Sequence, residues 1–156
     1  LLLLLPLLLL PLSASASYSS ASARFGAGGV VDEVEHAARA VGRSAPLVVV
    51  CAANSTCVVG TARRASPLLL AAPAGPHVLR PSPGVAAVAT GLPGDSRVVM
   101  RQALKLALNH TLELGEPPTA RALAQGVGSS MQRLTRRAGV RPLAAAAVVV
   151  DPRGAL

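Results

Sequence analysis

The stretch that most constrains the fold is Thr90–Glu113, TGLPGDSRVVMRQALKLALNHTLE. A turn of small residues, Gly91-Leu92-Pro93-Gly94, leads into a helix. Asp95 reads as its N-cap, because a carboxylate there accepts from the free N–H groups of the first turn. Polar side chains recur every four residues, at Arg97, Arg101, Lys105, Asn109 and Glu113, and the residues between them are almost all apolar. Such a helix has one narrow wet stripe and a wide dry face. It predicts cover on more than one side, from a sheet and from a neighbouring helix or subunit. The residues before it, VAAVAT, read as a strand.

What packs against that dry face must be small. The apolar residues are almost all Ala, Val and Leu, with two Met, two Cys, one Phe, one Tyr and no Trp. Without aromatic anchors, burial per residue is modest, and 156 residues make one domain or part of one. The net charge of +8 comes from fourteen Arg and one Lys. These are scattered, and no aromatic platform accompanies them, which argues against nucleic acid as a partner.

The chain opens with LLLLLPLLLLPL and a Ser/Ala run to Ala23. Twelve residues with two prolines are too few to span a bilayer, so no membrane role is expected. An apolar run followed by Ala21-Ser22-Ala23 does read as a secretory signal, and Asn54 and Asn109 begin N-x-[ST] sequons. A small secreted, glycosylated binding module is therefore an alternative.

After Gly28-Gly29, the acids Asp32, Glu33 and Glu35 load a helix start, where they suit the dipole. Val34, Ala37, Ala38 and Val41 form its apolar face, and Gly42 stands at its stop position. LVVVCA and CVVGT flank Ala53–Thr56 and predict a hairpin. It puts Cys51 and Cys57 on facing strands, where buried free thiols are expected ahead of a disulfide. Leu68–Pro83 reads as loop and short strand. Thr119 reads as the N-cap of a second long helix with a face of Leu123, Val127, Met131, Leu134 and Ala138, antiparallel to the first. Gly126 and Gly128 weaken it by about 1 kcal/mol each unless a partner helix needs close approach. That helix is expected to end at Gly139, before a buried strand over Ala145–Val150.

Three blocks together resemble the alpha-type subunits of the 20S proteasome. The first is G-L-x-x-D-S-R at Gly91, Asp95 and Arg97, after a strand and before the helix. The second is the N-terminal signature, matched by Phe25, Gly29, Val34, Glu35 and Ala37, with His36 where the family has Tyr. The third is Arg141-Pro142-Leu143, followed by Asp151-Pro152-Arg153-Gly154 for the family's D-x-x-G hairpin. Tyr18 falls at the family's gate tyrosine, but Ser19 and Ser20 replace the acid and base beside it. His77 stands where many alpha subunits carry a Lys that receives activator tails. With Arg141-Pro142-Leu143 it points to the type-6 branch.

The resemblance implies an α+β chain with a four-layer αββα sandwich of the N-terminal-nucleophile hydrolase class, incomplete at its C-terminus. Residues 24–156 would be a partial alpha-subunit domain, and 1–23 a low-complexity Leu/Ser/Ala-rich head, either disordered or wrongly assigned to the translated chain. The implied role is structural: ring assembly, gating and regulator docking in ubiquitin-dependent degradation, in cytoplasm and nucleus. The implied partners are other alpha subunits in a seven-membered ring, beta-ring subunits and the regulatory particle, with no cofactor and no metal. A divergent beta-type threonine protease is a further alternative, since active beta subunits are cut at a Gly-Thr bond like Gly60-Thr61. Here Ala62-Arg63-Arg64 follow, unlike the beta pattern, and the alignment of blocks puts Thr61 inside a strand. No catalytic residue is expected.

Overall fold

A computed structural model of the chain describes residues 25–26, 28–52, 56–62, 77–137 and 139–151. Helix α1 (Asp32–Gly42) is followed by strands β1 (Leu47–Ala52) and β2 (Thr56–Thr61), then β3 (His77–Ser82) and β4 (Val85–Gly91). Helices α2 (Pro93–Leu114) and α3 (Ala120–Thr135) come next, and β5 (Ala145–Val150) closes the described part. The predicted hairpin is present, with Cys51 opposite Cys57. The second sheet is antiparallel throughout, in the order β3-β4-β5. Pro81 and a bulge between Leu79 and Ser82 lie in β3. A strand at the edge of its sheet tolerates both, because a missing N–H there breaks no central ladder.

The core sits between the β3-β4-β5 sheet and the two long helices. Side chains alternate across a strand, so Val85, Ala87 and Ala89 share one face of β4. These pack with Val99, Met100, Ala103 and Ala107 of α2, Leu123 and Val127 of α3, and Ala145 of β5. Alanine on both sides of this contact lets helix and sheet approach closely, as the composition requires. Val88, on the opposite face of β4, is fully buried as well, but its ladder partners Val78 and Val148 on that face are exposed, so this side is covered only at the central strand. The segment after α1 contributes there: Thr90 Oγ1 donates to the Ala45 carbonyl and meets Ser44 Oγ at 3.1 Å.

The helices α2 and α3 run antiparallel. Leu106 lies against Gly126, while Val99 and Gln102, earlier in α2, share a cavity wall with Ser130 and Leu134, later in α3. A Cβ on Gly126 would stand 3.2 Å from Leu106 Cδ1, so this glycine gives the helices their close approach. Gly128 faces open space. Thr119 caps α3 by accepting from the Ala122 N–H.

Several expectations are corrected. Asp95 is not the N-cap of α2: the cap position is Leu92, without a side-chain bond, and Pro93 starts the helix. Proline suits the first helical position because its φ is already helical and the N–H it lacks would be unpaired. The cysteines are not free thiols: Cys51 and Cys57 form a disulfide, with Cα atoms 4.1 Å apart. Direct opposition in an antiparallel ladder brings the two side chains together. Helix α3 stops at Thr135, ahead of the expected Gly139, with Arg136 as its cap. The dry face of α2 is wider than its cover. Leu104, Leu108 and Leu112 are 44%, 57% and 75% exposed, because sheet and α3 take up only the opposite side. The described elements establish a mixed α+β fold.

Candidate functional site

The turn between β4 and α2 and the segment leading into β5 are built as one unit. Gly91 has φ +124°, a conformation that L side chains rarely adopt. A Cβ there would run into the Ala144 carbonyl oxygen and stand 2.7 Å from Ala145 Cα. Glycine is thus required twice, by its φ and by the close pass of β5. The next amide, Leu92 N–H, donates to the Ala144 carbonyl at 2.9 Å.

Asp95, in the first turn of α2, is buried and points back at the same place. Its carboxylate accepts from Arg141 Nη1 at 2.6 Å and Nη2 at 2.7 Å, and from the Ala144 N–H at 2.8 Å. The guanidinium fork matches the carboxylate geometry, which makes such pairs strong and directional. Arg141 Nη1 also donates to the Pro142 carbonyl, and Pro142 is itself buried. Bonding to Arg141 above all, with help from the Ala144 amide and the Arg141 charge, holds the Asp95 carboxyl below its usual value; burial opposes the shift. The result is a clamp between segments distant in sequence and no chemistry of transfer: every lone pair it engages is held by a neighbour within the fold. Ser96, next in the motif, is buried with no hydrogen-bond partner on its hydroxyl, and Arg97 is exposed.

The N-terminal residues lie elsewhere. Phe25 is 72% exposed and forms a bridge with Val31. Val34, Glu35 and His36 are exposed, Ala37 is half-buried, and Glu35 pairs with Arg39 one turn on. Helix α1 buries no residue fully. His77 is the first residue of β3, paired with Ala89. Asp151 is partly buried just beyond β5. Tyr18, Asn54 and Gly154 lie outside the described residues. Thr61 ends β2, with its hydroxyl donating to the Pro46 carbonyl. Asn109 is exposed within α2. No described helix is long and apolar enough to cross a membrane.

One partner and one role escaped the sequence. Ala144 stands where the related pattern has Gly, and nothing in its side chain signals that both its amide and its carbonyl serve the turn. The role of Asp95 had one legible cue: Pro93 favours the first helical position. That would have moved the cap to Leu92 and freed the Asp95 carboxylate for a distant partner.

A family model described as "Proteasome subunit" matches residues 46–153. Among curated proteins, the chain is 33% identical over 139 residues to proteasome subunit alpha type-4 of Saccharomyces cerevisiae, covering 87% of this chain and 54% of that one. It is 30% identical over 129 residues to proteasome subunit alpha type-2 of Drosophila melanogaster, covering 83% and 55%. To proteasome subunit alpha type-2-A of Arabidopsis thaliana it is 27% identical over 139 residues, covering 88% and 59%. The chain thus spans somewhat more than half the length of these relatives. They are of types 2 and 4 and lend no support to a type-6 assignment.

Proposed function

Because the chain belongs to the proteasome subunit family, as a divergent alpha-type member, we propose that it is a non-catalytic subunit of an alpha ring in the 20S core particle. In this reading its fold is one part of a four-layer αββα sandwich. It would assemble beside other alpha subunits, on a beta ring and beneath a regulatory particle, in cytoplasm and nucleus, and serve ubiquitin-dependent degradation by helping to gate and dock.

The observation that carries the reading is helix α1. It stands ahead of the first strand, where a beta-type protease would begin its sheet with a freed threonine. It buries none of its residues fully, and it leaves Phe25 and Val34 at the surface. A helix tied to the sheet through the segment that follows it, with Val34, Glu35, His36 and Ala38 exposed, is suited to meeting a neighbour. Thr61 fits a nucleophile poorly, since its hydroxyl is bonded to a carbonyl at the base of the hairpin. His77 and Arg141-Pro142-Leu143 are the residues on which a type-6 position would rest.

Affinity capture of the tagged chain from its own cells, followed by native mass spectrometry, tests this. Co-migration with proteasome alpha and beta subunits, lost on Phe25→Asp with Val34→Asp, supports the ring. Recovery of the chain alone, or secreted and carrying glycan on Asn54 or Asn109, overturns it.

A further inference from the structure

The β1–β2 hairpin stands apart from the rest of the described fold in how it is held. Its two strands hydrogen-bond to each other and, among the described residues, to no third strand. One face carries Val48, Val50 and Val58, which are 60%, 63% and 65% exposed. The other face, with Val49, Val59 and the two cysteines, is half-buried. A two-stranded ribbon with so little cover is marginal in water. One disulfide cross-links its strands, one pair in from the turn, and it closes a loop of only six residues' separation.

We propose that Cys51 and Cys57 are a reversible redox staple, a dithiol–disulfide pair that sets how well the β1–β2 hairpin holds together. This goes beyond the subunit reading and does not depend on it. The ladder itself places the two residues opposite each other, so the sulfurs stay neighbours when the bond opens, and closing it again needs no backbone rearrangement. Both cysteines are partly exposed, which gives a small thiol access to the sulfurs. The step balances with a low-molecular-weight thiol as reductant. One thiolate attacks the sulfur of either cysteine, the S–S bond breaks, and the released cysteine thiolate takes up a proton. A second thiolate attacks the small-molecule sulfur of the mixed disulfide and frees the other cysteine, which is protonated in turn. Two electrons and two protons reach the protein, and one small-molecule disulfide leaves.

The test uses the purified full chain equilibrated in glutathione buffers of graded ratio, with free thiols trapped by alkylation and counted by mass spectrometry. A single two-electron transition between dithiol and intramolecular disulfide is expected. Amide exchange over 47–52 and 56–61 should quicken on the order of tenfold or more in the dithiol form, with residues 85–91 unchanged. Cys51→Ser, which leaves Cys57 without its partner, should instead collect glutathione as a stable adduct. The proposal is overturned by a disulfide that resists every glutathione ratio, by wild-type cysteines that take glutathione and do not pair, or by equal exchange in both states. Comparison of reduced with oxidised wild type keeps the answer available if the variant does not fold.

Discussion

Asp95 and Arg141, 46 residues apart, meet in a two-pronged ion pair whose carboxylate also holds the Ala144 amide. The acid is 8% exposed and the guanidinium 47%, so the two partners are unequal. Removing the guanidinium leaves a buried carboxylate with one backbone donor. Arg141→Ala should therefore destabilise the chain by about 1–3 kcal/mol, below a fully buried pair because water screens the arginine. Arg141→Lys keeps the charge but not the fork and should fall between. Urea denaturation of the three proteins gives the ordering, and a lysine variant no better than alanine would mean that geometry outweighs charge entirely.

The same pair gives acid sensitivity. Asp95 has its carboxyl held below the ordinary 3.8, chiefly by the Arg141 hydrogen bonds. The unfolded chain therefore takes up a proton at this site before the folded chain does. Its contribution is complete above the unfolded value and is lost as pH falls through the lower folded one. The stability difference between wild type and Asp95→Asn should be flat from about pH 5 to 7 and shrink below about pH 4. A difference that grows on acidification would reverse the sign and refute the assignment.

Gly91 and Gly115 both have positive φ, +124° and +75°, but only the first meets other atoms at its missing Cβ. Gly115→Ala should cost about 1 kcal/mol, for the left-handed backbone alone. Gly91→Ala adds a collision with the backbone of Ala144 and should cost more than about 2 kcal/mol, with β5 pushed from its register. Thermal melts compare the two, and exchange rates over 145–150 report whether the strand has moved. Equal costs would show that the close pass of β5 is loose.

Much of this architecture was legible from local pattern. The apolar runs around Ala53–Thr56 gave the hairpin, and the four-residue recurrence from Arg97 to Glu113 gave α2 and its solvent stripe. What escaped depends on partners distant in sequence. A carboxylate two residues after Pro93 looks like a cap until Arg141 is seen to reach it. Leu104, Leu108 and Leu112 look like core until the sheet and α3 are found on the other side of the helix. Helix α3 reads too long in the sequence because periodicity carries through Ala138, whereas Thr135 already bonds its hydroxyl to the Gln132 carbonyl and Arg136 takes the cap. Cys51 and Cys57 were correctly set face to face, but spacing is silent on oxidation.

The two glycines of α3 separate helix propensity from packing. Glycine within a helix costs about 1 kcal/mol relative to alanine. Gly128 has nothing within 4 Å of its absent Cβ, so Gly128→Ala should recover that full amount. Gly126 faces Leu106 Cδ1 at 3.2 Å, and an added methyl must push the leucine back. Gly126→Ala should thus gain less than Gly128→Ala, and Gly126→Leu should fall below wild type by about 1–3 kcal/mol through overpacking. The order of denaturation midpoints checks this: Gly128→Ala highest, then Gly126→Ala, wild type and Gly126→Leu. If Gly126→Ala equalled Gly128→Ala, the leucine would yield freely and the α2–α3 contact would not depend on a glycine.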